Sequence, residues 1–413
     1  MGCRRSSAFW GLGCPKAHHE IEDSLDNLTE QQTNAVSSAL ANRVSCITGG
    51  AGTGKTTVLR TVLRAYDYLE YDIKAMALSG RAAMRLHESI GFPTSTIAKF
   101  LRDDPIEAIS DDDLKCLIVI DEASMLDIGT MYKIVLHSDP SVKFLFVGDP
   151  NQLPPIGPGL VLADIVKSRA IANIELNIVK RQDATTGIPE YSRMVQRGYI
   201  PADLSMGCIH FHDTPYDQVA NVCTQLYADD KENSRVVAAT NVMTGDVNRN
   251  CQSLLNESAP YLAWEEFGQQ YQSRDLKLGD PVLFTQNNYD AGVQNGSLGT
   301  LISIVQSEKH HGVVKLDDTG EEVELNRSLL DSLVPGYAIT LHKAQGSQFK
   351  RVIVGLSETS MIDRAWIYTA ITRAEAELHI VGPKERLHKA ITSMSAHHIR
   401  KTHLHNLLAE DIQ

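Results

Sequence analysis

The sequence feature that most constrains the fold is the glycine-rich segment GGAGTGKT at residues 49–56. It fits the pattern G-x-x-x-x-G-K-[ST] and lies between an apolar, β-branched run at residues 44–48 and a helical pattern at residues 55–68. A strand, a glycine loop and a helix in this order predict a phosphate-binding loop, because backbone N–H groups then converge on a phosphate at the positive end of the helix dipole. A nucleotide-binding α/β domain is therefore expected.

The residue types in this loop predict how the nucleotide is held. Lys55 is expected to neutralise the β- and γ-phosphate oxygens of ATP, and the hydroxyl of Thr56 is expected to bind Mg²⁺. The other residues expected to contact the nucleotide are Gly49, Gly52, Thr53, Gly54 and Thr57. The predicted cofactors are ATP and Mg²⁺.

An acidic pair further along the chain indicates hydrolysis. Residues 117–120 are apolar and are followed by Asp121 and Glu122, which a strand of an open α/β sheet would place at its carboxyl end, beside the phosphate loop. Asp121 is expected to hold Mg²⁺, and Glu122 is expected to orient and deprotonate the attacking water. The alternative is a pair of surface acids, but the four apolar residues directly before the pair argue against it.

Short β-branched runs alternate with helical stretches, which is the pattern of parallel sheets covered by helices on both faces. The runs at 73–77, 116–120 and 142–147 predict a first lobe over residues 25–182, with a short insertion near residues 101–114. The runs at 235–239, 351–355 and 378–381 predict a second lobe built from residues 183–260 and 335–395. The predicted fold class is α/β with two lobes.

Three further segments differ from this pattern. Residues 261–334 contain short alternating runs separated by Gly, Asn and Asp, which predicts a small antiparallel barrel inserted in the second lobe. Residues 1–24 are expected to be a flexible leader; the alternative there is a zinc site of unfamiliar spacing, formed by Cys3, Cys14, His18 and His19. Residues 396–413 are expected to be a solvated helical tail rather than a metal site, although they contain His397, His398, His403 and His405.

Charge and composition limit the partners. The formal net charge is −12, which by itself argues against a nucleic-acid binder, although a narrow basic groove on an acidic surface would still accept one. The seven cysteines are too dispersed for a disulfide framework and are expected to be buried thiols. The sequence has no apolar run near the roughly 18 residues that a membrane span needs. A cytoplasmic protein with no membrane partner is expected.

These motifs and several others, in the same order, resemble the RecD/Dda-like branch of the superfamily-1B DNA helicases, which are P-loop NTPases. The likeness extends through nearly the whole chain from residue 28 onward. It is carried by the segments LTEQQTNA (28–35), ALSGRAA (77–83), GDPNQLPPI (148–156), KRQ (180–182), ATN (239–241), YAITLHKAQGS (337–347) and YTAITRA (368–374). The resemblance implies two RecA-like lobes, an SH3-like 2B insertion in the second lobe, and movement 5′→3′ on DNA.

The resemblance also implies roles around the nucleotide. Gln32 would read adenine, Gln152 would sense the γ-phosphate, and Gly346 would contact the nucleotide from the second lobe. Arg181 and Arg373 would act as cationic fingers, which in related phosphoryl transfers accelerate hydrolysis by about 10³ to 10⁵. The catalytic set expected on these grounds is Lys55, Glu122, Gln152, Arg181 and Arg373.

Contacts to the DNA backbone are implied in both lobes, with little reading of bases. The residues are Ser79, Arg81, Thr96, Thr240, Asn241, Thr340, His342 and Lys343. Two departures limit the likeness: Thr96-Ile97 is followed by Ala98 where this branch commonly has His, and the pin region, residues 101–114, is short, acidic and free of aromatic residues. Because opening each base-pair step costs about 1.4 kcal/mol, we expect weak unwinding and a mainly translocating enzyme.

The expected function is that of an ATP-dependent helicase or translocase moving 5′→3′ on single-stranded DNA, in replication, repair or recombination. Its expected partners are single-stranded DNA, duplex junctions with a 5′ tail, and recombination or replication proteins. The alternative function is a motor or regulatory subunit of a recombination or exonuclease complex. A P-loop phosphotransferase would leave the second lobe unexplained.

Overall fold

The computed structural model describes residues 28–107, 115–177, 186–266, 269–288, 291–305 and 310–410. Several sequence predictions lie outside these residues: the leader at 1–24 with its Cys and His residues, residues 108–114 of the pin region, and Arg181.

The first lobe is a six-stranded parallel sheet in the order β3-β2-β4-β5-β1-β6. Its strands are β1 (Val44–Gly49), β2 (Asp72–Ala77), β3 (Thr94–Thr96), β4 (Cys116–Ile120), β5 (Lys143–Gly148) and β6 (Ala172–Leu176). Successive strand residues face opposite sides, so Ile47 and Val119 enter the core on one face of the sheet while Cys46 and Ile118 enter the core on the other. Burial on both faces explains why β4 is apolar at every position.

The helices of the first lobe cover both faces of this sheet. They are α1 (Glu30–Ala41), α2 (Lys55–Tyr68), α3 (Gly80–Ile90), α4 (Ile97–Phe100), α5 (Ile128–Leu136) and α6 (Val161–Ser168), with a 3₁₀ turn at Ala123–Met125. The long helices have an apolar stripe that faces the sheet; in α2 it includes Val58, Leu59 and Val62. Helix α2 has the bounds predicted from the sequence.

The second lobe begins with α7 (Ile188–Gln196), β7 (Ile209–Asp213), α8 (Tyr216–Asp229), β8 (Ser234–Ala238) and α9 (Asn241–Leu255). An antiparallel insertion follows, with β9 (Tyr261–Glu266), β10 (Gln269–Lys277), β11 (Pro281–Phe284), β12 (Leu298–Ile304), β13 (Gly312–Leu316), β14 (Glu322–Leu325), α10 (Arg327–Leu330) and β15 (Leu333–Pro335). Five of its strands form one sheet in the order β14-β13-β12-β11-β15, and β9 pairs with β10 as a hairpin. The SH3-like character of this insertion stays a prediction.

The second lobe resumes after the insertion with β16 (Ala338–Thr340), α11 (Leu341–Ala344), β17 (Phe349–Gly355), α12 (Arg364–Ile371), β18 (Ala374–Gly382) and α13 (Lys384–Thr392). Its five strands are parallel and lie in the order β16-β8-β17-β18-β7. The two-lobed α/β class is therefore confirmed, whereas the residue limits of the domains stay predictions.

The C-terminal tail differs from its prediction. It forms α14 (Ala396–Ile399) and α15 (Leu404–Glu410), and Leu404 and Leu408 pack against a core of the first lobe. The prediction of a solvated helix is wrong for the face that carries Leu404 and Leu408. Residues four positions apart share one face of a helix, but the sequence does not show which surface that face packs against.

Two predictions from composition can be compared with the described residues. Five cysteines there are free thiols, and four of them, Cys46, Cys116, Cys223 and Cys251, are buried; burial raises the pKa of Cys46 to about 12. No helix among the described residues has both the length and the apolar character needed to cross a bilayer.

Candidate functional site

A cleft of about 680 Å³ lies between the two lobes, and both lobes contribute its walls. The first lobe supplies residues of the phosphate loop and of the carboxyl ends of its strands, and the second lobe supplies residues that follow α11 and α12. The lining includes Gly52, Thr53, Gly54, Lys55, Thr56, Thr57, Arg85, Asp121, Glu122 and Gln152 from the first lobe, and Gly346, Gln348 and Arg373 from the second. The structure thus brings together most of the residues predicted to contact the nucleotide.

The phosphate loop is shaped by glycine where α2 begins. Gly54 precedes α2 with φ of 86°, in the left-handed region that favours glycine, and a Cβ there would lie 2.4 Å from Nε2 of Gln32. The ammonium group of Lys55 donates hydrogen bonds to the carbonyl oxygens of Gly49 and Gly50, at 2.7 and 2.9 Å. In this conformation the loop therefore curves around its own lysine.

Gln32 is held against this loop. Its side-chain oxygen accepts a hydrogen bond from Thr29 N at 3.0 Å, as part of the capping box of α1, and its Nε2 donates to the carbonyl of Thr53 at 3.3 Å. The side chain is buried. Each end of the amide has one protein partner and keeps one further hydrogen-bonding position, and adenine reading by Gln32 stays a prediction.

The acidic pair lies where predicted, directly after β4. Glu122 adopts φ of 51° and ψ of 39°, a left-handed conformation that is uncommon for a residue with a side chain. Burial and the negative charge of Glu122 raise the pKa of Asp121 to about 7, and the charge of Lys55 opposes this shift. The carboxyl group of Asp121 therefore ionises less readily than that of an exposed aspartate.

Arg373 is buried and reaches the cleft from the second lobe. Its Nε donates to Thr369 O at 3.2 Å, its Nη1 to Ser347 O at 3.2 Å and its Nη2 to Oε1 of Gln152 at 3.3 Å. Burial lowers its pKa, and the carboxylate of Glu122 acts in the opposite direction. The bond to Gln152 crosses from one lobe to the other, so the predicted γ-phosphate sensor Gln152 and the predicted cationic finger Arg373 are in direct contact.

Other bonds between the lobes join residues that were not predicted as site residues. The hydroxyl of Tyr368 donates to Asp149 at 2.6 Å, and the backbone N of Leu153 donates to the hydroxyl of Thr369 at 2.8 Å. These four residues lie within the segments 148–156 and 368–374 that carry the family resemblance. Their position in those segments could have identified them as site residues from the sequence.

Arg85 is a missed residue without such a signal. Its Nη1 donates to Gly346 O at 2.9 Å, and it lines the cleft. It follows the segment 77–83 on α3, and nothing in the sequence distinguishes it from other helical arginines. It therefore adds a cation to the cleft that only the structure locates.

Three of the predicted DNA-binding residues cap helices. The side chains of Ser79, Thr96 and Thr240 accept hydrogen bonds from backbone N–H groups of Ala82, Lys99 and Met243, at the starts of α3, α4 and α9 respectively. Thr340 precedes α11 without such a bond. Capping is a sufficient structural reason for these hydroxyls, and contact with phosphate stays a prediction.

A groove of about 600 Å³ lies between the second lobe and its insertion. It brings together Asn241, Thr340 and Lys343 of the predicted DNA-binding residues, with Arg249 and Tyr261 beside them. His342 and Lys343 are both half-buried. Burial lowers the pKa of each side chain.

Arg81 lies elsewhere, in the contact between the first lobe and the insertion. It is 7% exposed, and its Nη1 donates to Gly296 O at 3.2 Å. The ring of Phe349 lies 5.9 Å from its guanidinium carbon, and burial lowers its pKa to about 10. Its predicted contact with phosphate would require the insertion to move.

A second cluster of ionisable groups lies on β7 and β18, outside the cleft. His210, Glu377 and His379 place three metal-capable atoms within 4.8 Å of one another. However, Nε of Arg351 donates to Nε2 of His379 and lies against Oε2 of Glu377, both at 3.1 Å. A guanidinium group already supplies the positive charge there, so we interpret the cluster as a structural ion pair.

Two family models match the chain. Residues 27–214 match the model described as an AAA domain, and residues 335–381 match the model described as a UvrD-like helicase C-terminal domain. The first match contains the phosphate loop and the acidic pair, and the second contains the segments around Thr340 and Arg373.

Curated proteins are similar over most of this chain. An ATP-dependent RecD2 DNA helicase of Deinococcus radiodurans is 29% identical over 372 residues, which are 86% of this chain and 49% of that protein. The RecBCD enzyme subunit RecD of Mycolicibacterium smegmatis is 27% identical and covers 88% of this chain and 72% of its own length. A conjugal transfer protein TraA of Rhizobium radiobacter is 27% identical, with 32% of its length covered. The matched region thus spans 32% to 72% of the length of these relatives, and about half of the RecD2 helicase.

Solved structures share the fold. The Pif1 helicase from Bacteroides in complex with ADP-AlF3 and single-stranded DNA superposes with a TM-score of 0.58 at 19% identity, covering 89% of this chain and 95% of that one. The Pif1 helicase from Candida albicans superposes with a TM-score of 0.55 at 18% identity, covering 88% and 96%. At these identities the likeness establishes the fold alone.

Proposed function

We propose that this chain is a helicase of the RecD-like superfamily-1B type, a DNA-stimulated ATPase that moves 5′→3′ along single-stranded DNA. The observation that carries the proposal is the composition of the cleft between the lobes. One wall contains Lys55, Asp121 and Glu122, and the other contains Arg373. A nucleotide bound there would touch both lobes, so its hydrolysis would change their spacing.

The first lobe supplies the groups that hold the substrate and activate water. The ammonium group of Lys55 would exchange the carbonyls of Gly49 and Gly50 for phosphate oxygens of ATP. Thr56 and Asp121 share the cleft and offer oxygen ligands of the kind that Mg²⁺ binds, and the bound ion would neutralise charge on the phosphates. Glu122 would accept the proton of the attacking water.

The second lobe supplies positive charge to the reacting phosphate. Arg373 and Gln152 both line the cleft and are hydrogen-bonded to each other. A γ-phosphate that bound between them would replace this bond by contacts with the substrate. We assign the same kind of role to Arg181 and a nucleotide contact to Gly346. Loss of the phosphate after hydrolysis would restore the bond between Arg373 and Gln152, which gives the lobes two distinct arrangements.

The DNA would follow the helix starts of both lobes. Asn241, Thr340 and Lys343 line one groove, and the N-termini of helices attract phosphate through their free N–H groups and their dipole. Ser79, Thr96, Thr240 and His342 complete the proposed set, and Arg81 joins it only if the insertion moves away. Because these contacts address the backbone, weak sequence preference is expected.

The cellular role belongs to the same proposal. Single-stranded DNA, duplex junctions with a 5′ tail, and recombination or replication proteins are the proposed partners, in the cytoplasm. The second candidate, a subunit of a recombination or exonuclease complex, is favoured by the 27% identity to a protein named as the RecD subunit of the RecBCD enzyme. Co-purification with a nuclease together with weak unwinding by the isolated chain would support it.

The proposal is tested by ATPase assays with and without single-stranded DNA, and by unwinding of duplexes with a 5′ or a 3′ tail. We expect many-fold stimulation by DNA, unwinding confined to the 5′-tailed duplex, and loss of turnover in Lys55→Ala. Lys74→Ala, an exposed lysine of the same lobe, is the control. Absence of stimulation would refute the motor assignment, and preference for the 3′ tail would refute the direction.

A further inference from the structure

The C-terminal strap, residues 396–410, crosses from the second lobe to the first. The chain leaves α13 at Thr392 in the second lobe, and α15 packs on the first lobe, where Leu404 and Leu408 join a core that also contains Val161 and Ile165 of α6. The hydroxyl of Thr402 donates to Oδ1 of Asp164 at 2.6 Å. The end of the strap is therefore fixed to the lobe that carries the phosphate loop.

Between these two attachments, the strap contacts the loop that follows β5. Nε2 of His397 donates to the backbone carbonyl of Gln152 at 2.5 Å. Nη1 of Arg400 donates to the carbonyls of Pro155 and Gly157, at 2.7 and 3.0 Å. Residues 152–157 form no helix or strand, so their carbonyls lack the partners that regular structure would give them.

Gln152 is consequently held from two sides. Its side-chain Oε1 accepts from Arg373 in the cleft, at 3.3 Å, while its backbone carbonyl accepts from His397 of the strap. The side chains of the strap contact the backbone carbonyls of the loop. They therefore fix the position of the Gln152 backbone and form no hydrogen bond with its side-chain amide. A group that sets the position of a catalytic side chain in this way affects turnover more than substrate binding.

We infer that His397 and Arg400 are positioning residues that hold the loop 152–157 so that Gln152 faces the nucleotide cleft. This inference rests on the proposed function in assigning a nucleotide to that cleft.

The first test uses hydrogen exchange in the protein without nucleotide or DNA. In His397→Ala and Arg400→Ala, we expect faster exchange of the backbone amides of Gln152 and Leu153, which donate to the carbonyl of Asp149 and to the hydroxyl of Thr369. The melting temperature should stay close to that of the wild type. Lys401→Ala, an exposed neighbour, is the control and should leave exchange unchanged. Unchanged exchange in the first two variants would overturn the inference. This readout does not depend on activity, so it separates failure of the inference from failure of the proposed function.

The second test measures kcat and KM for ATP at saturating single-stranded DNA. We expect His397→Ala to lower kcat about tenfold, the loss associated with one buried hydrogen bond, with KM and DNA affinity within about twofold of the wild type. His397→Gln should recover most of the rate, because its side-chain amide can donate to the same carbonyl. A glutamine variant as impaired as the alanine variant, or a change confined to KM, would overturn the positioning role.

Discussion

Asp121 has a pKa displaced far from that of an ordinary aspartate. Burial and the neighbouring Glu122 raise it to about 7, against about 3.9 for an unperturbed side chain. Between these two pH values the folded protein holds a proton that the unfolded chain has released. The stability of the metal-free protein should therefore fall as the pH rises from about 4 to about 7. Perturbed pKa values of this kind are concentrated at functional sites.

Replacement of Asp121 by Asn tests this directly. The amide cannot ionise, so Asp121→Asn should melt at a higher temperature than the wild type at pH 8 with EDTA present, and the gap should shrink at pH 5. Thermal unfolding at the two pH values measures it. Asp104→Asn, at an exposed position of the same lobe, is the control. A gap that is equal at both pH values, or equal in the control, would show that Asp121 is not the group responsible.

At the scale of helices and strands, the second-lobe groove brings together the starts of α9 and α11. Asn241 begins α9, Thr340 precedes α11, and Lys343 lies within α11. The first residue of α9, the residue before α11 and one ammonium group thus line a single groove. Burial lowers the pKa of Lys343, which a phosphate in the groove would counteract by stabilising the charged form.

Lys343→Ala should weaken binding of single-stranded DNA in a salt-dependent way. Each phosphate neutralised on a single strand contributes about 0.7 to the slope of log affinity against log salt, so the variant should lose roughly that amount. Fluorescence anisotropy with a labelled oligonucleotide at several salt concentrations measures the slope. The exposed Lys350 of the same lobe gives the control variant, Lys350→Ala. An unchanged slope in Lys343→Ala would remove this residue from the DNA path.

Sequence periodicity located the elements with long, uniform patterns. Helix α2 and strand β4 occur at the predicted residues, because one has a sustained apolar stripe and the other is buried on both faces. Strands β3 and β16 have three residues each, too few for any periodicity to be visible. Strand β6 lies at an edge and is only partly buried, so tertiary pairing with β1 fixes it rather than its own composition.

At the scale of the whole molecule, the cleft depends on contacts that no local pattern contains. Arg373 and Gln152 are 221 residues apart in the chain, and Arg85 and Gly346 are 261 apart. The resemblance to a helicase family predicted that Arg373 and Gln152 serve one site, since both lie in recognised motifs. It could not predict the contacts of Arg85, His397 or Arg400. Their side chains donate to backbone carbonyls, and because every residue type has a backbone carbonyl, the partner leaves no mark in the sequence.

Three neighbouring hydrogen bonds join the two lobes beside the cleft. Tyr368 donates to Asp149, Thr369 accepts from Leu153, and Arg373 donates to Gln152. All three bonds join the segment 148–156 of the first lobe to the segment 368–374 of the second. A change of ligand in the cleft would therefore alter several neighbouring bonds together, which favours two discrete arrangements over a continuous range.

The turnover of Arg373→Ala at saturating ATP and single-stranded DNA tests the central claim, a hydrolytic site completed by the second lobe. We expect kcat to fall at least about a hundredfold, given the factors of about 10³ to 10⁵ known for cationic fingers. The DNA dissociation constant, measured on the same preparation, should change by less than about threefold, and the exposed Arg197 gives the control Arg197→Ala. Turnover close to that of the wild type, with the protein folded and bound to DNA, would contradict the claim.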